Sequence, residues 1–170
     1  LNANFLFSFS WISLGAFMKF CIASRLTPSE LLHYVDPVGS FICALIFELK
    51  FYFDFAGYSL MVFGLAKLVN LKLVLNFNHP FTANNVVEFW HKWHVSLGKF
   101  LQRYILHKNL NLFKTRSSKA IFAATIFIIS AMWHGGTVNY FFWGLFHGTV
   151  YLFYIQSFKF LKIPNFLGYF

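Results

Sequence analysis

The feature that most constrains this sequence is a series of long apolar stretches, of which residues 5–24 are the clearest. Only Lys19 interrupts that stretch, and about 20 apolar residues suffice for a helix to cross a bilayer. Only 11% of the 170 residues are charged and 58% are hydrophobic, whereas soluble domains carry about 25% charged residues. The sequence therefore predicts an all-α, polytopic integral membrane protein, with another aromatic-rich span at residues 137–158.

A second long apolar region, residues 35–66, contains three charged side chains, Glu48, Lys50 and Asp54. Its length permits a tilted or broken span, and the sequence does not decide between one element and two. Ionisable groups at membrane depth usually face protein or a water-filled cavity. Residues 70–83 then break the pattern with Pro80 and several Asn residues, which predicts a loop or a re-entrant turn.

The net charge of +9 is concentrated in one part of the chain. Seven of the 14 Lys and Arg residues lie in a stretch without acids: Lys92, Lys99, Arg103, Lys108, Lys114, Arg116 and Lys119. A nucleic-acid-binding module can also carry such a cluster. Because this cluster lies between apolar stretches, the positive-inside rule explains it better and indicates a cytoplasmic face. We therefore expect a lipid bilayer and no nucleic acid as partner.

An amphipathic helix is predicted over residues 86–106, with Asn84 or Asn85 as its N-cap. Trp90 and His94 share its aromatic face, and basic side chains lie on another. This pattern is typical of a helix on the membrane surface with its aromatic face inward.

A basic loop at residues 107–119 is predicted to precede a short apolar run, residues 120–133. Fourteen residues form a helix of about 21 Å, and the hydrocarbon core is about 30 Å thick. A helix entering at the basic loop would therefore place His134 within the membrane. Gly135 and Gly136 follow and would let another group approach closely.

Most of the seven histidines need no chemical role. Their positions indicate loops or interfaces for three (His33, His79 and His107), solvent for His91 and a structural hydrogen bond for His147. His91 and His94 are three positions apart, but the chain lacks the repeated histidine boxes of a di-iron centre and has few carboxylates. We therefore predict no metal site.

His94 and His134 are the two histidines for which catalysis is considered. From position alone, a buried structural histidine is as good an interpretation as a catalytic one for either residue. Burial disfavours the charged form and leaves a neutral imidazole that can accept a proton.

FYFDFAGYS at 51–59, NFNHPF at 76–81 and LGAFMKFCIA at 14–23 resemble shorter motifs of the membrane-bound O-acyltransferase family. EFWHKWHVSLGKFLQRY at 88–104 and MWHGGTVNYFFWGLFHG at 132–148 are similar to its two histidine-containing stretches. The sequence departs from the family pattern at Gly98, where a second Ser is frequent.

The resemblance implies a helical membrane bundle around a tunnel, with the acyl donor entering from one side and a hydroxyl acceptor from the other. His134 matches the family's catalytic histidine, and His94 matches its second active-site histidine. The resemblance also implies a set of substrate-tunnel residues: Trp90, Trp93, Trp133, Asn76, Asp54 and Tyr58.

Within the family, the chain looks closest to the bacterial branch of alginate and peptidoglycan O-acetyltransferases and the teichoic acid D-alanyl transferase. The residues at two positions, Ala56 and Leu60, slightly favour the D-alanyl transferase subgroup. The resemblance implies transfer of an acetyl- or D-alanyl-type group from a thioester, either acyl-CoA or an acyl-carrier protein. The acceptor would be a hydroxyl of a polysaccharide, a teichoic-acid-type polymer or a carrier, at the bacterial inner membrane, with no bound cofactor.

Residues 1–170 are predicted to form a single membrane-embedded domain. The sequence starts without Met or a positively charged leader, so we expect it to be one part of a longer protein that has further N-terminal spans. Two other hypotheses remain open at this point. One is a non-catalytic or truncated membrane subunit of an acylation complex, and the other is a transporter, since intramembrane ionisable groups also mark transport pathways.

Overall fold

Helices account for every regular element in the computed structural model, which describes residues 3–27 and 36–160. The prediction of an all-α chain is therefore confirmed for these residues. The chain divides into two units, Leu1–Asn78 and His79–Phe170, which are described separately below. The prediction of a single domain over residues 1–170 stays a prediction.

The N-terminal unit contains two long helical segments. Helix α1 (Ala3–Ala16) continues as a π-helical turn at Phe17–Ile22 and a 3₁₀ turn at Ala23–Arg25. Helix α2 (Pro37–Leu68) is 32 residues long, so the second apolar region forms one element. Asp36 caps α2 by accepting a 2.5 Å hydrogen bond from the Gly39 N–H, and Pro37 occupies the first helical position.

Small residues let α1 and α2 approach each other closely. A Cβ atom on Gly57 would lie 2.6 Å from the carbonyl oxygen of Gly15, and one on Gly64 would lie 2.7 Å from that of Ser8. Trp11 packs edge-to-face on Phe63 at a centroid distance of 5.4 Å. Such close backbone approach is how helices associate where the hydrophobic effect does not drive them together.

The segment that follows α2 is largely irregular, as predicted for residues 70–83. Asn70 and His79 adopt left-handed backbone conformations, with φ of 55° and 50°, and a 3₁₀ turn follows at Pro80–Thr82. Within the N-terminal unit, Phe77 packs on Phe55 of α2 at 5.2 Å.

The C-terminal unit begins with α3 (Val86–Lys92) and α4 (Val95–Leu101). Asn85 caps α3 by accepting from the Glu88 N–H at 2.8 Å, and the Glu88 carboxylate accepts from the Asn84 N–H at 2.8 Å. The prediction of one helix over 86–106 is wrong. His94 has a φ of 44°, and this left-handed residue ends the first helix and starts the second.

Helical structure continues beyond α4 further than the sequence predicts. A π-helical segment (Gln102–Leu106), α5 (His107–Asn109) and a 3₁₀ turn (Leu110–Leu112) occupy most of the region predicted to be a basic loop. That prediction is wrong, because most of these polar residues lie in short helical turns or in the first turn of α6.

Helix α6 (Arg116–His134) and helix α7 (Val138–Phe160) form an antiparallel pair. Thr115 and Ser118 cap α6 reciprocally, so it starts four residues before the apolar run. Its 19 residues are about 28 Å long. This length is slightly less than the hydrocarbon thickness, and the position of His134 within the membrane stays a prediction.

Two helices in the described part of the chain are long and apolar enough to cross a membrane, at Asn4–Arg25 and Ser117–His134. Large apolar side chains also point outward from both units, with Phe20 63% exposed and Phe153 74% exposed. A water-soluble protein rarely exposes apolar area on this scale. A multi-pass topology beyond these two helices remains a prediction.

Candidate active site

The C-terminal unit contains a cavity of about 140 Å³ between α3, α4, the π-helical segment, α6 and α7. Five polar side chains line it: His91, His94, Gln102, Ser130 and His134. Aromatic rings supply much of the remaining wall, from Trp90, Trp93, Phe127, Trp143 and Tyr151. A mostly apolar cavity with a few polar groups is the usual form of a small-molecule site.

His94 lies in this wall because the chain breaks there. Its Nδ1 accepts a 3.4 Å hydrogen bond from the Leu97 N–H, so the side chain caps α4. This bond assigns the proton of the neutral ring to Nε2. Burial lowers the pKa of His94 below its ordinary value, and the charge of nearby His134 lowers it further. The neutral ring therefore has a hydrogen-bond donor at Nε2.

His134 reaches the cavity from the last turn of α6. It lies one turn after Ser130, and Phe127 precedes Ser130 on the same helix face. Extended backbone at Gly135 ends the helix. A Cβ atom on Gly135 would overlap the ring of Tyr140, so the close approach predicted at this glycine is made by Tyr140.

Trp90 and Trp93, two of the predicted tunnel residues, both line the cavity, and their role in a substrate tunnel stays a prediction. Trp90 has edge-to-face contacts with Phe127 at 4.9 Å and Trp143 at 5.9 Å, which hold its ring in place. Trp93 stacks on Phe89 at 5.5 Å. Trp133 lies outside the lining and is 71% exposed, so any tunnel role for it remains a prediction.

His147 contacts the cavity wall, and His91 is both exposed, as predicted, and part of the cavity lining. The contacts of His147 in the described structure are with aromatic rings, including Trp90 at 5.1 Å and Trp143 at 4.3 Å. His147 therefore packs against Trp90 and Trp143 in the cavity wall. His91 is exposed, but it also lines the cavity, and burial lowers its pKa.

The other three predicted tunnel residues belong to the N-terminal unit. Asp54 forms an ion pair with Lys19 at 2.5 Å, and the Asn76 amide donates to the Ser59 hydroxyl at 3.2 Å. Tyr58 is 54% exposed. Their participation in a substrate path therefore remains a prediction.

Neither Gln102 nor Ser130 stands out in the sequence as a site residue. The spacing of Ser130 and His134, one helical turn, was the available signal for the serine. Gln102 carried no such signal, because the π-helical segment changes which side chains of 102–106 point inward. Among the residues that the structure describes, no group of three or more His, Cys, Asp and Glu side chains could hold a metal.

The sequence profile of the membrane-bound O-acyltransferase family matches residues 3–168. The chain belongs to the membrane-bound O-acyltransferase family. The match includes both histidine-containing stretches, so the cavity is built from sequence that carries the family's motifs.

Three relatives indicate the family branch. The chain is 32% identical over 149 residues to the peptidoglycan O-acetyltransferase of Helicobacter pylori, covering 80% of this chain and 27% of the relative. It is 34% identical over 108 residues to the probable alginate O-acetylase AlgI of Pseudomonas syringae, covering 62% and 20%. It is also 30% identical over 154 residues to the teichoic acid D-alanyltransferase of Streptococcus thermophilus, covering 81% and 37%. This membrane-bound O-acyltransferase chain thus spans well under half the length of these relatives.

Proposed function

We propose that the protein transfers a small acyl group from a thioester donor to a hydroxyl acceptor in the bacterial cell envelope. One observation carries this proposal: His94 and His134 line a single aromatic-walled cavity although they come from different helices. The membership of an O-acyltransferase family and the names of the three relatives support acyl transfer as the reaction class.

In the proposed reaction, His134 accepts the proton of the acceptor hydroxyl as its oxygen attacks the thioester carbonyl. The Nε2–H of His94 donates to the oxygen on which negative charge develops. The C–S bond then breaks, the proton on His134 passes to the leaving thiolate, and an ester and a free thiol are released. His94 thus acts as a donor in the same neutral state that its hydrogen bond to Leu97 favours.

The size of the cavity supports a small acyl group. A cavity of about 150 Å³ accommodates benzene, which has about six non-hydrogen atoms. The present cavity of about 140 Å³ is similar in volume. An acetyl or alanyl group fits this space.

The names of the relatives suggest the acceptor. They indicate peptidoglycan, alginate and teichoic acid, so we propose a polysaccharide or teichoic-acid-type hydroxyl as acceptor. The donor would be an acyl-CoA or an acyl-carrier protein. We further propose a multi-pass protein of the inner membrane whose helices surround a tunnel, to which Trp133, Asn76, Asp54 and Tyr58 contribute.

The proposed base is tested by His134→Ala in the full-length protein, reconstituted in proteoliposomes with a radiolabelled acetyl thioester and cell-wall polysaccharide. General-base catalysis contributes about 10²–10⁴-fold, so we expect transfer to fall by at least about 100-fold. His107→Ala is the matched control, because His107 is exposed and outside the cavity. Undiminished transfer by His134→Ala would remove His134 from the mechanism. No transfer by the unaltered protein with any thioester would favour a non-catalytic subunit of an acylation complex.

A further inference from the structure

Negative charge is almost absent from the unit that contains the cavity. Glu88 is the one acidic residue in the sequence from 79 to 170. Its carboxylate is already engaged, with Lys92 at 2.7 Å and the Asn84 N–H at 2.8 Å. Among the described residues that line the cavity there is no Asp or Glu. The cavity therefore offers no carboxylate to a bound cation.

The polar groups that do line the cavity are either neutral or become positive. Gln102 and Ser130 carry no charge, and the other three are histidines. Burial lowers the pKa of both His91 and His94, and the nearby His134 lowers the pKa of His94 further. The same desolvation that lowers the pKa of His91 and His94 also disfavours another cation beside these two rings.

The aromatic wall includes Trp90, whose ring is already in contact with other rings. A primary ammonium is a compact, strongly hydrated charge with three hydrogen-bond donors. Cation–π contacts require access to a ring face, but Trp90 is packed against Phe127, Trp143 and His147. An aminoacyl group would therefore enter either with an unpaired charge or after losing its proton.

We propose that this cavity selects an uncharged acyl group, of the acetyl type, and discriminates against an aminoacyl group such as D-alanyl. The inference rests on the proposed function and names the substrate class of the same site. It is opposite to the slight lean toward D-alanyl transfer that Ala56 and Leu60 indicate in the sequence.

The expected size of the discrimination follows from the amino group itself. An α-amino group has a pKa of about 7.7–8.0, so at pH 7 only about one in ten molecules is neutral. We therefore expect D-alanyl transfer to be at least about tenfold slower than acetyl transfer at pH 7. The ratio of the acetyl rate to the D-alanyl rate should fall toward one as the pH rises toward 9, because more of the amine is then neutral.

The experiment compares radiolabelled acetyl and D-alanyl thioesters of pantetheine, with the full-length protein in proteoliposomes. Peptidoglycan fragments, mannuronate oligomers and lipoteichoic acid serve in turn as acceptors. The proposal is supported if acetyl transfer is faster at pH 7 and the ratio of the acetyl to the D-alanyl rate falls toward one as the pH rises. Equal or faster D-alanyl transfer at pH 7 overturns it while leaving the acyltransferase function intact. Transfer of neither group refutes the proposed function, and this inference with it.

A designed variant tests the physical cause. Gln102→Glu places a carboxylate in the cavity wall with little change in size, and Gln102→Met is its uncharged control. We expect Gln102→Glu to raise the ratio of D-alanyl to acetyl transfer at pH 7 by about tenfold, the penalty set by the amine's pKa, and Gln102→Met to leave this ratio low. An unfolding midpoint in detergent close to that of the unaltered protein shows that a variant is folded. An unchanged ratio in a folded Gln102→Glu protein overturns the proposal.

Discussion

His94 and His134 line one cavity, although His94 caps a short helix and His134 ends α6. Burial lowers the pKa of His94, and the nearby His134 lowers it further. The arrangement suits a division of work in which one ring takes a proton and the other donates a hydrogen bond.

Two substitutions at His94 separate its backbone role from its chemical role. Asn tolerates the left-handed conformation and can cap α4, whereas Ala provides no cap. We expect His94→Ala to be less stable than His94→Asn by about 1–2 kcal/mol. Both variants lose the imidazole, so acyl transfer should fall in both. Thermal unfolding in detergent and acyl transfer in proteoliposomes measure the two effects. Equal stability of the two variants would contradict the capping role.

Stability should decrease as the pH falls below about 6.5, the unfolded pKa of histidine. The folded pKa values of His91 and His94 are lowered by burial, so the unfolded chain binds more protons in this range. The stabilisation is therefore present above the unfolded pKa and is lost as the pH falls toward the folded values. Unfolding midpoints from circular dichroism between pH 5 and 7.5 measure it. The double variant His91→Asn/His94→Asn should show a shallower dependence, whereas His107→Asn, at an exposed site, should keep the original slope.

The ion pair between Lys19 and Asp54 should be more sensitive to loss of one partner than to loss of both. It connects the π-helical turn after α1 with α2, at 2.5 Å. The side chains of Lys19 and Asp54 are 27% and 53% exposed on an otherwise apolar helical surface. Removing one partner leaves an unpaired charge on that surface, whereas two apolar replacements remove both charges. We expect Asp54→Leu and Lys19→Met each to lower the unfolding midpoint, and the double variant to recover most of the loss. Additive losses in this double-mutant cycle would exclude a coupled pair.

Two glycine substitutions should have opposite effects on stability. In Gly57→Ala the added methyl would lie 2.6 Å from the Gly15 carbonyl oxygen and 2.9 Å from the backbone nitrogen of Lys19. Such overpacking costs about 1–3 kcal/mol. At Gly98 no atom lies within 4 Å of an added Cβ, so Gly98→Ala should gain about 0.5–1 kcal/mol of helix stability. Unfolding midpoints in the same detergent compare the two variants. A stabilising Gly57→Ala would contradict the close helix packing.

The helices were predictable where a single local signal dominates. The apolar run that becomes α1 and the Asn85 cap of α3 are local features, and both are confirmed. The break at His94 was not predictable, because no Gly or Pro marks it and the amphipathic pattern of residues 86–106 continues through it. The start of α6 was missed because Arg116 to Lys119 resemble a polar loop until Thr115 and Ser118 cap them.

The sequence by itself determined that this chain is helical, apolar and a member of an acyltransferase family, because composition and ordered motifs are properties of the chain. It also singled out His94 and His134, but it could not decide between catalytic and structural histidines. Only the tertiary structure brings both rings to one cavity and adds Gln102 and Ser130 to its wall. It also reveals that the described lining has no carboxylate. The physical reason is that a cavity's charge and volume depend on which side chains from different helices meet, and no local pattern specifies that.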